Sequence, residues 1–346
     1  MEKKDTVVAV DIAKVVFDVA VSHEPGRVAE RRRLSRKVFL LFFAQMPAAT
    51  VVMEACGSAH FWARKIQELG HQVVLLPPHQ VRPYVVRNKT DRTDAKGILE
   101  AYRNADIRPV PVKSVPQQVL CSLHRFRSGW LSARTAQINT LRGLLRELGL
   151  VIPLGAEKVL PLVRSLIADA DSGIPDALRP VLATACDEIE ALGDNIKMTE
   201  RQLEALAEQT PGVQRLESIP GIGLLTATAL AAFIGDVQRF PSGRHFASYL
   251  GLTPREFSSG MKRRLGRISK RGDAYLRMLL IHGARSILCH AKKAKEHDRL
   301  RTWALALEKR TRHNTAAVAL ANKLARIAWA VWKHDRDYVS KIERAA

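Results

Sequence analysis

Short apolar runs alternate with amphipathic stretches through the first 110 residues. Val7–Val10 and Val15–Ser22 are dense in apolar and β-branched residues and predict strands separated by Asp11-Ile-Ala-Lys14, and a third strand around Val28–Leu34 closes a meander. Arg36–Gln45 predicts a helix, Thr50–Met53 a buried strand and Ala59–Leu69 a second helix. Gln72–Leu76 predicts a strand that Pro77 and Pro78 stop, and Asp91–Asn104 a helix that ends before Pro109 and Pro111. The order βββαβαβα implies an antiparallel meander joined to a parallel pair.

Beyond residue 112 the period changes. Val115–Gly149 is helical, with Leu120, Leu123, Trp130, Ile138, Leu141, Leu145 and Leu148 on one broad face. After a segment holding Pro153, Gly155, Gly173 and Pro175, apolar residues recur from Leu178 through Leu182, Ala185, Ile189, Leu192, Ile196, Thr199 and Leu203 to Leu206. Alternating gaps of four and three make a heptad seam. It predicts an antiparallel coiled coil, within one chain or between protomers; a single helix lying on a globular core is the plainer reading. Thr210-Pro-Gly212 ends it, and the remainder reads as helical and basic, closing with an amphipathic helix through Leu320, Leu324, Ile327 and Val331. The expected domains are 1–112, 113–209 and 210–346.

Composition narrows the function. The 346 residues carry 55 Lys+Arg against 34 Asp+Glu, a formal charge of +21, and 47% are apolar, enough to build cores. Such a balance points to a polyanionic partner. Arg255–Arg277 holds eight basic residues against two acidic, and Lys292–Arg312 eight against three, whereas Asp187–Glu208 holds seven acidic against two basic. No apolar run suits a membrane span, and Met1-Glu-Lys-Lys-Asp leads into a strand pattern without a signal peptide's apolar core. Cys56, Cys121, Cys186 and Cys289 are too scattered for a zinc module or a disulfide framework, which suits a reducing cytoplasm.

Candidate chemistry sits at the strand ends. Asp11 follows Val7–Val10 and Glu54 follows Val51–Met53. The element order matches a ribonuclease-H-like sheet, in which the first and fourth strands are neighbours and these carboxylates face one cleft. Asp91 and Asp94 share a helix face. Four carboxylates meeting in one place repel unless divalent cations lie among them, and hard oxygen donors select Mg²⁺ or Mn²⁺. Each alone has a plainer reading: Asp11 as a turn residue, Glu54 as an ion-pair partner, Asp91 and Asp94 as first-turn helix charges. Asp18 is a weaker candidate, since alternation turns it away from the inward-facing valines.

In the basic region, Pro220-Gly221-Ile222-Gly223 before an apolar helix reads as a helix-hairpin-helix turn that brings backbone N–H groups to a phosphate, or as a tight turn with packing glycines. A loop follows that carries Arg255, Ser258, Ser259, Lys262, Arg263, Arg264, Arg267, Lys270 and Arg271, the cations suited to phosphate. The serines are ordinary loop residues unless a base or metal activates one; His245 and His282 are the nearest histidines in sequence.

Together, Val8-Ala-Val-Asp-Ile-Ala-Lys14, Met53-Glu-Ala-Cys-Gly-Ser58, Asn88-Lys-Thr-Asp-Arg-Thr-Asp-Ala95, Ser218-Ile-Pro-Gly-Ile-Gly223 and Gly251-Leu-Thr-Pro-Arg with Ser259-Gly260 and Ser269-Lys-Arg-Gly272 resemble the DEDD transposases of insertion-sequence family one-ten, in particular its one-eleven-eleven subgroup, relatives of Piv-type DNA invertases. The resemblance implies an α/β RuvC-like domain, a coiled-coil linker and an all-α transposase domain. It assigns Asp11, Glu54, Asp91 and Asp94 to a Mg²⁺ or Mn²⁺ site and Ser259 to nucleophilic attack on DNA, with Ser258 one position away. It further implies a structured noncoding guide RNA pairing with donor and target DNA, and strand exchange through a Holliday junction. The protein would be a homo-oligomer, dimer or tetramer, joined through the coiled coil, with a site composed from two domains, acting on the bacterial nucleoid. A junction-resolving endonuclease, using water in place of serine, and a nucleic-acid-binding protein with a vestigial site are the competing functions.

Overall fold

The structure is a computed structural model that describes residues 6–85, 91–292 and 298–339, with the side chains of 91–93 outside that description. The chain divides into two compact units, Met1–Val115 and Pro116–Ala346.

In the first unit the strands are β1 (Val7–Ile12), β2 (Val16–Ser22), β3 (Glu30–Ser35), β4 (Thr50–Glu54) and β5 (Gln72–Leu76). The helices are α1 (Arg36–Ala44), α2 (Ala59–Glu68), the single turn α3 (Pro78–Val81) and α4 (Asp91–Tyr102). The sheet order is β3-β2-β1-β4-β5, with β1–β2 and β2–β3 antiparallel and β1–β4 and β4–β5 parallel, as the element order implied. One expectation shifts: β1 runs on through Ile12, because Asp11 pairs with Asp18 and Ile12 with Phe17, so Asp11 lies inside the strand and not after it.

The two sheet faces differ in residue size. Val8, Val10, Phe17, Val19, Val51 and Met53 face α1 and α2, where Phe17, Phe39 and Trp62 form an aromatic cluster with centroids 4.2–5.1 Å apart. The opposite face carries Ala9, Ala20, Val52 and Leu76 and packs on Ala95, Ile98 and Leu99 of α4. Alanines on the two central strands let α4 lie close over β1. The outer strand β3 exposes Arg31, Arg32 and Arg33, and a charged edge of this kind discourages pairing with another sheet.

In the second unit, α5 (Val115–Glu147) and α7 (Arg179–Glu208) run antiparallel, with α6 (Val159–Ala168) beside them. Arg127 pairs with Glu200 at 2.7 Å and Gln137 donates to Glu188 at 3.1 Å, so numbers rise along one helix as they fall along the other. The seam residues Leu182, Ile189, Ile196 and Leu203 are buried, and Leu182 and Ile189 share a core with Ile138, Leu141 and Leu145 of α5. Over this stretch the seam therefore packs against α5 of the same chain, the first of the two expected pairings.

The C-terminal part contains α8 (Val213–Glu217), α9 (Leu224–Ile234), α10 (Gly243–Tyr249), β6 (Pro254–Glu256), β7 (Leu265–Ile268), α11 (Ala274–Ala291), α12 (Arg299–Arg310) and α13 (His313–Lys333). α9 is apolar on nearly every side and sits in a core with Leu280 and Leu288 of α11 and Leu320 and Leu324 of α13. The expectation of an all-helical remainder misses β6–β7. These strands are exposed but for the half-buried Ile268, so no buried alternation marks them in the sequence.

A directional chain of hydrogen bonds ties α5 to this core. Thr228 Oγ1 donates to the Leu224 carbonyl at 2.6 Å, so it accepts from His124 Nε2 at 3.0 Å. That leaves Nδ1 to accept from the Tyr275 hydroxyl, also at 3.0 Å. Tyr275 in turn takes a hydrogen bond from Arg127. Burial, then the positive Arg127, lower the His124 pKa to about 4.

Two outcomes follow. Because the folded pKa of His124 lies below its ordinary 6.5, its contribution is complete above pH 6.5 and is lost as pH falls toward 4, when the unfolded chain binds the extra proton. The loss amounts to about 3 kcal/mol; urea unfolding at a series of pH values should show it, and His124→Gln should flatten the curve over that window. Separately, a Cβ on Gly283 of α11 would come 1.9 Å from the Gly221 carbonyl oxygen. Gly283→Ala should lower stability by about 1–3 kcal/mol, read from the urea midpoint.

Candidate active site

Strand register brings the acidic residues together. β1 and β4 pair in parallel up to Val10 with Met53, so the next step sets Asp11 beside Glu54. Strict alternation puts Asp11 on the face of Val7 and Ala9, and Glu54 on the face of Val52, the side that α4 covers. The neighbouring Cys56 thiol reports both charges: burial pushes its pKa up, and Glu54 and then Asp11 push it further. Asp94, one turn before Ile98 on α4, is 9% exposed and lies on the helix that packs across β1. Asp91 is the first residue of α4, and its side chain lies outside the described residues. Among the described residues no group of three or more His, Cys, Asp or Glu side chains closes on a common metal position.

Asp18 lies nearer the acidic strand ends than its alternation with the valines suggests. It faces Asp11 across β1–β2 and shares the α4 side with Ala20. Its carboxylate is 3.9 Å from Arg33 and lines a 320 Å³ hollow with Arg31, Arg33 and Ala95. Alternation away from the valines was the wrong test, since Asp11 also alternates with Ala9 and away from Val8 and Val10. The usable signal was Ala20, the small residue that matches Ala9 on the helix-facing side.

The basic loop is a β-hairpin whose base is pinned to the helical core. Ser269 N–H donates to Thr253 O at 2.8 Å, Lys270 N–H to Gly251 O at 3.1 Å, and Arg255 Nη2 to Ser269 O at 3.1 Å. At the tip, Ser259 and Lys262 exchange backbone hydrogen bonds of 3.3 Å, and Gly260 takes φ +56° at the first turn position. The two serines differ. Ser258 Oγ donates to Glu256 Oε1 at 2.7 Å and accepts from the Arg264 N–H at 3.1 Å. Ser259 is exposed, and among the described residues its hydroxyl has no hydrogen-bond partner. Lys262, Arg263, Arg264, Arg267, Lys270 and Arg271 are all exposed along the hairpin, with Arg263 3.5 Å from Glu256. His245 is bound to Ser242 Oγ at 2.8 Å, capping α10.

The turn between α8 and α9 divides its glycines between two uses. Gly221, at φ +80°, presses on α11, where a Cβ would meet Ile287 at 2.7 Å and the Gly283 carbonyl at 2.8 Å. Its missing side chain is accounted for by packing inside the protein, as in the tight-turn reading of this motif. Gly223 is exposed at the start of α9 with open space beside it.

A mixed sheet of this order with carboxylates at the ends of β1 and β4 defines a DEDD nuclease-like domain, here followed by a basic helical unit. Comparison with known proteins agrees: residues 8–149 match the transposase family of DEDD type, and residues 213–299 match the family described as Transposase IS116/IS110/IS902. A probable family 20 transposase of Pseudomonas aeruginosa is 44% identical over 96% of this chain and 98% of its own. The transposase for insertion sequence element IS1111A of Coxiella burnetii is 40% identical over 96% of this chain and 91% of its own. The transposase for insertion sequence element IS1328 of Yersinia enterocolitica is 36% identical over 94% and 96%. The chain belongs to the IS110 family of insertion-sequence transposases and is a DNA-cleaving, strand-transferring enzyme. Among the described residues no helix is long and apolar enough to cross a membrane.

Proposed function

We propose that this transposase cuts and rejoins DNA through a covalent link to Ser259, at sites chosen by a structured noncoding RNA. The observation that carries the reading is the division of labour at the hairpin tip: Ser258 is engaged in holding the hairpin, while Ser259 presents an exposed hydroxyl on a hairpin that carries six exposed cations from tip to base. Ser259 Oγ forms a bond to phosphorus as the bond from phosphorus to a deoxyribose oxygen breaks, and that oxygen leaves as a hydroxyl. The serine proton passes to solvent or to a base. In rejoining, a deoxyribose hydroxyl attacks the same phosphorus and Ser259 departs, so one phosphoester replaces another and no ATP is consumed.

Lys262, Arg263, Arg264, Arg267, Lys270 and Arg271 neutralise the phosphates on either side of the bond, and Arg255 holds the hairpin base through Ser269. Gly223 leaves the α9 N-terminus open to a backbone phosphate. The carboxylates of Asp11, Glu54 and Asp94, joined by Asp91, supply oxygen donors only, which fits Mg²⁺ or Mn²⁺. A divalent ion bound there would offset the charge that gathers on a reacting phosphodiester. The excess of 21 positive charges exceeds what one hairpin uses, in keeping with a guide RNA carried besides DNA.

Two measurements test this reading. Denaturing gels of reactions on element-end DNA should show a protein–DNA adduct for the wild type and for Ser258→Ala, and none for Ser259→Ala. An adduct that survives in Ser259→Ala rejects the nucleophile. Asp11→Ala and Glu54→Ala should lose Mg²⁺-dependent cleavage by about 100-fold or more while binding DNA with unchanged salt dependence. Cleavage at the wild-type rate in either variant rejects the acidic site.

A further inference from the structure

A second feature of the helical unit lies beside the hairpin and shares only Arg267 and Lys270 with the chemistry above. A groove of 1840 Å³ opens between α10, α11, α13 and the base of β6–β7. It is larger than the roughly 300–1,000 Å³ of a small-molecule pocket, so it suits a polymer segment better than a metabolite. Arg244, Arg267, Lys270, Arg312, Lys323 and Arg326 line it, and no Asp or Glu does among the described residues. None of these six cations has an ion-pair partner among the described residues.

The floor is of another kind. Trp303, Trp329 and neighbouring aliphatic side chains make it apolar, and Lys323 Nζ sits 3.9 Å from the centroid of the Trp303 ring. Asn314 and Thr315, in the first turn of the 21-residue helix α13, add the positive end of a helix dipole to the rim. Cations held together without counter-charge cost folding energy, and burial with Arg299 and Arg326 pulls the Lys323 ammonium below the usual lysine range. A polyanion would relieve that repulsion.

We propose that this groove seats a single nucleic-acid strand, with phosphates on the cationic rim and bases against Trp303 and the apolar floor. Only an unpaired strand can offer both; a duplex keeps its bases inside and presents phosphate alone. The rim includes Arg267 and Lys270 at the base of the hairpin that carries Ser259 at its tip, so a strand lying here runs toward the serine. The proposal deepens the reading above by naming where that strand is held, and rests on it only in that the chain handles nucleic acid. DNA and RNA share the chemistry, and the test separates them.

The test is fluorescence-anisotropy binding of the full chain to a 20-nucleotide single-stranded DNA, the same sequence in RNA, and a DNA duplex, over a range of salt. Lys323→Gln and Arg326→Gln together should weaken one or both single strands by at least tenfold and lower the slope of log K against log salt by about 1.4. Trp303→Ala should weaken the same strand roughly 5- to 100-fold with an unchanged slope. Lys323→Arg should retain wild-type affinity, and Arg201→Gln on α7 should cost less than twofold; melting curves check that each variant folds. The single strand affected identifies the occupant. Groove variants that match Arg201→Gln for both single strands, or that lose only duplex binding, overturn the proposal. Because no cleavage is read, an absent Ser259 adduct with intact groove effects would reject the serine mechanism alone.

Discussion

The acidic end of the first unit depends on how closely one helix can approach one strand. β1 is the middle of the sheet and takes part in both an antiparallel and a parallel pairing, so its register is fixed from two sides. The α4 side of β1 and β2 carries Ala9 and Ala20, and their small size brings α4 down over the strand ends. Asp11, Glu54 and Asp94 are carried on the elements that meet there. Burial first, then the nearby charges of Glu54 and Asp11, push the Cys56 thiol pKa up at this end of the sheet.

The helical unit solves a different problem. Its core is built from α9, α11 and α13, where paired glycines let two backbones touch and alanines keep the helices close. Nearly all of its chemistry is therefore outside, on a largely exposed hairpin and in a groove lined by cations. The buried His124 chain links the long α5 helix to this core through hydrogen bonds whose directions are all set by Thr228. Such a fully satisfied buried network favours one arrangement of α5 on the core, since any slip leaves a buried donor or acceptor unpaired.

Much of this was legible in advance. Strand and helix identities through Tyr102 followed from periods of two and 3.6, and the heptad seam marked a long helix with a partner. Family membership was legible because its motifs lie along nearly the whole chain. The β6–β7 hairpin was not, because strands exposed on both faces carry no apolar alternation. The packing role of Gly221 was not legible either, because a packing glycine and a phosphate-facing glycine look alike until the neighbouring helix is known.

The sequence by itself determined the local elements, the positions of the acidic residues at strand ends and the excess of positive charge, since each is a property of near neighbours or of totals. Tertiary structure alone decided that the seam packs on α5 of the same chain, that Asp18 shares a face with Asp11, that the Ser258 hydroxyl is tied while that of Ser259 has no partner among the described residues, and that cations from separate segments line one groove. All four depend on which residues far apart in the chain come within a few ångströms, and hydrophobic periodicity records which way a side chain faces without recording what it meets.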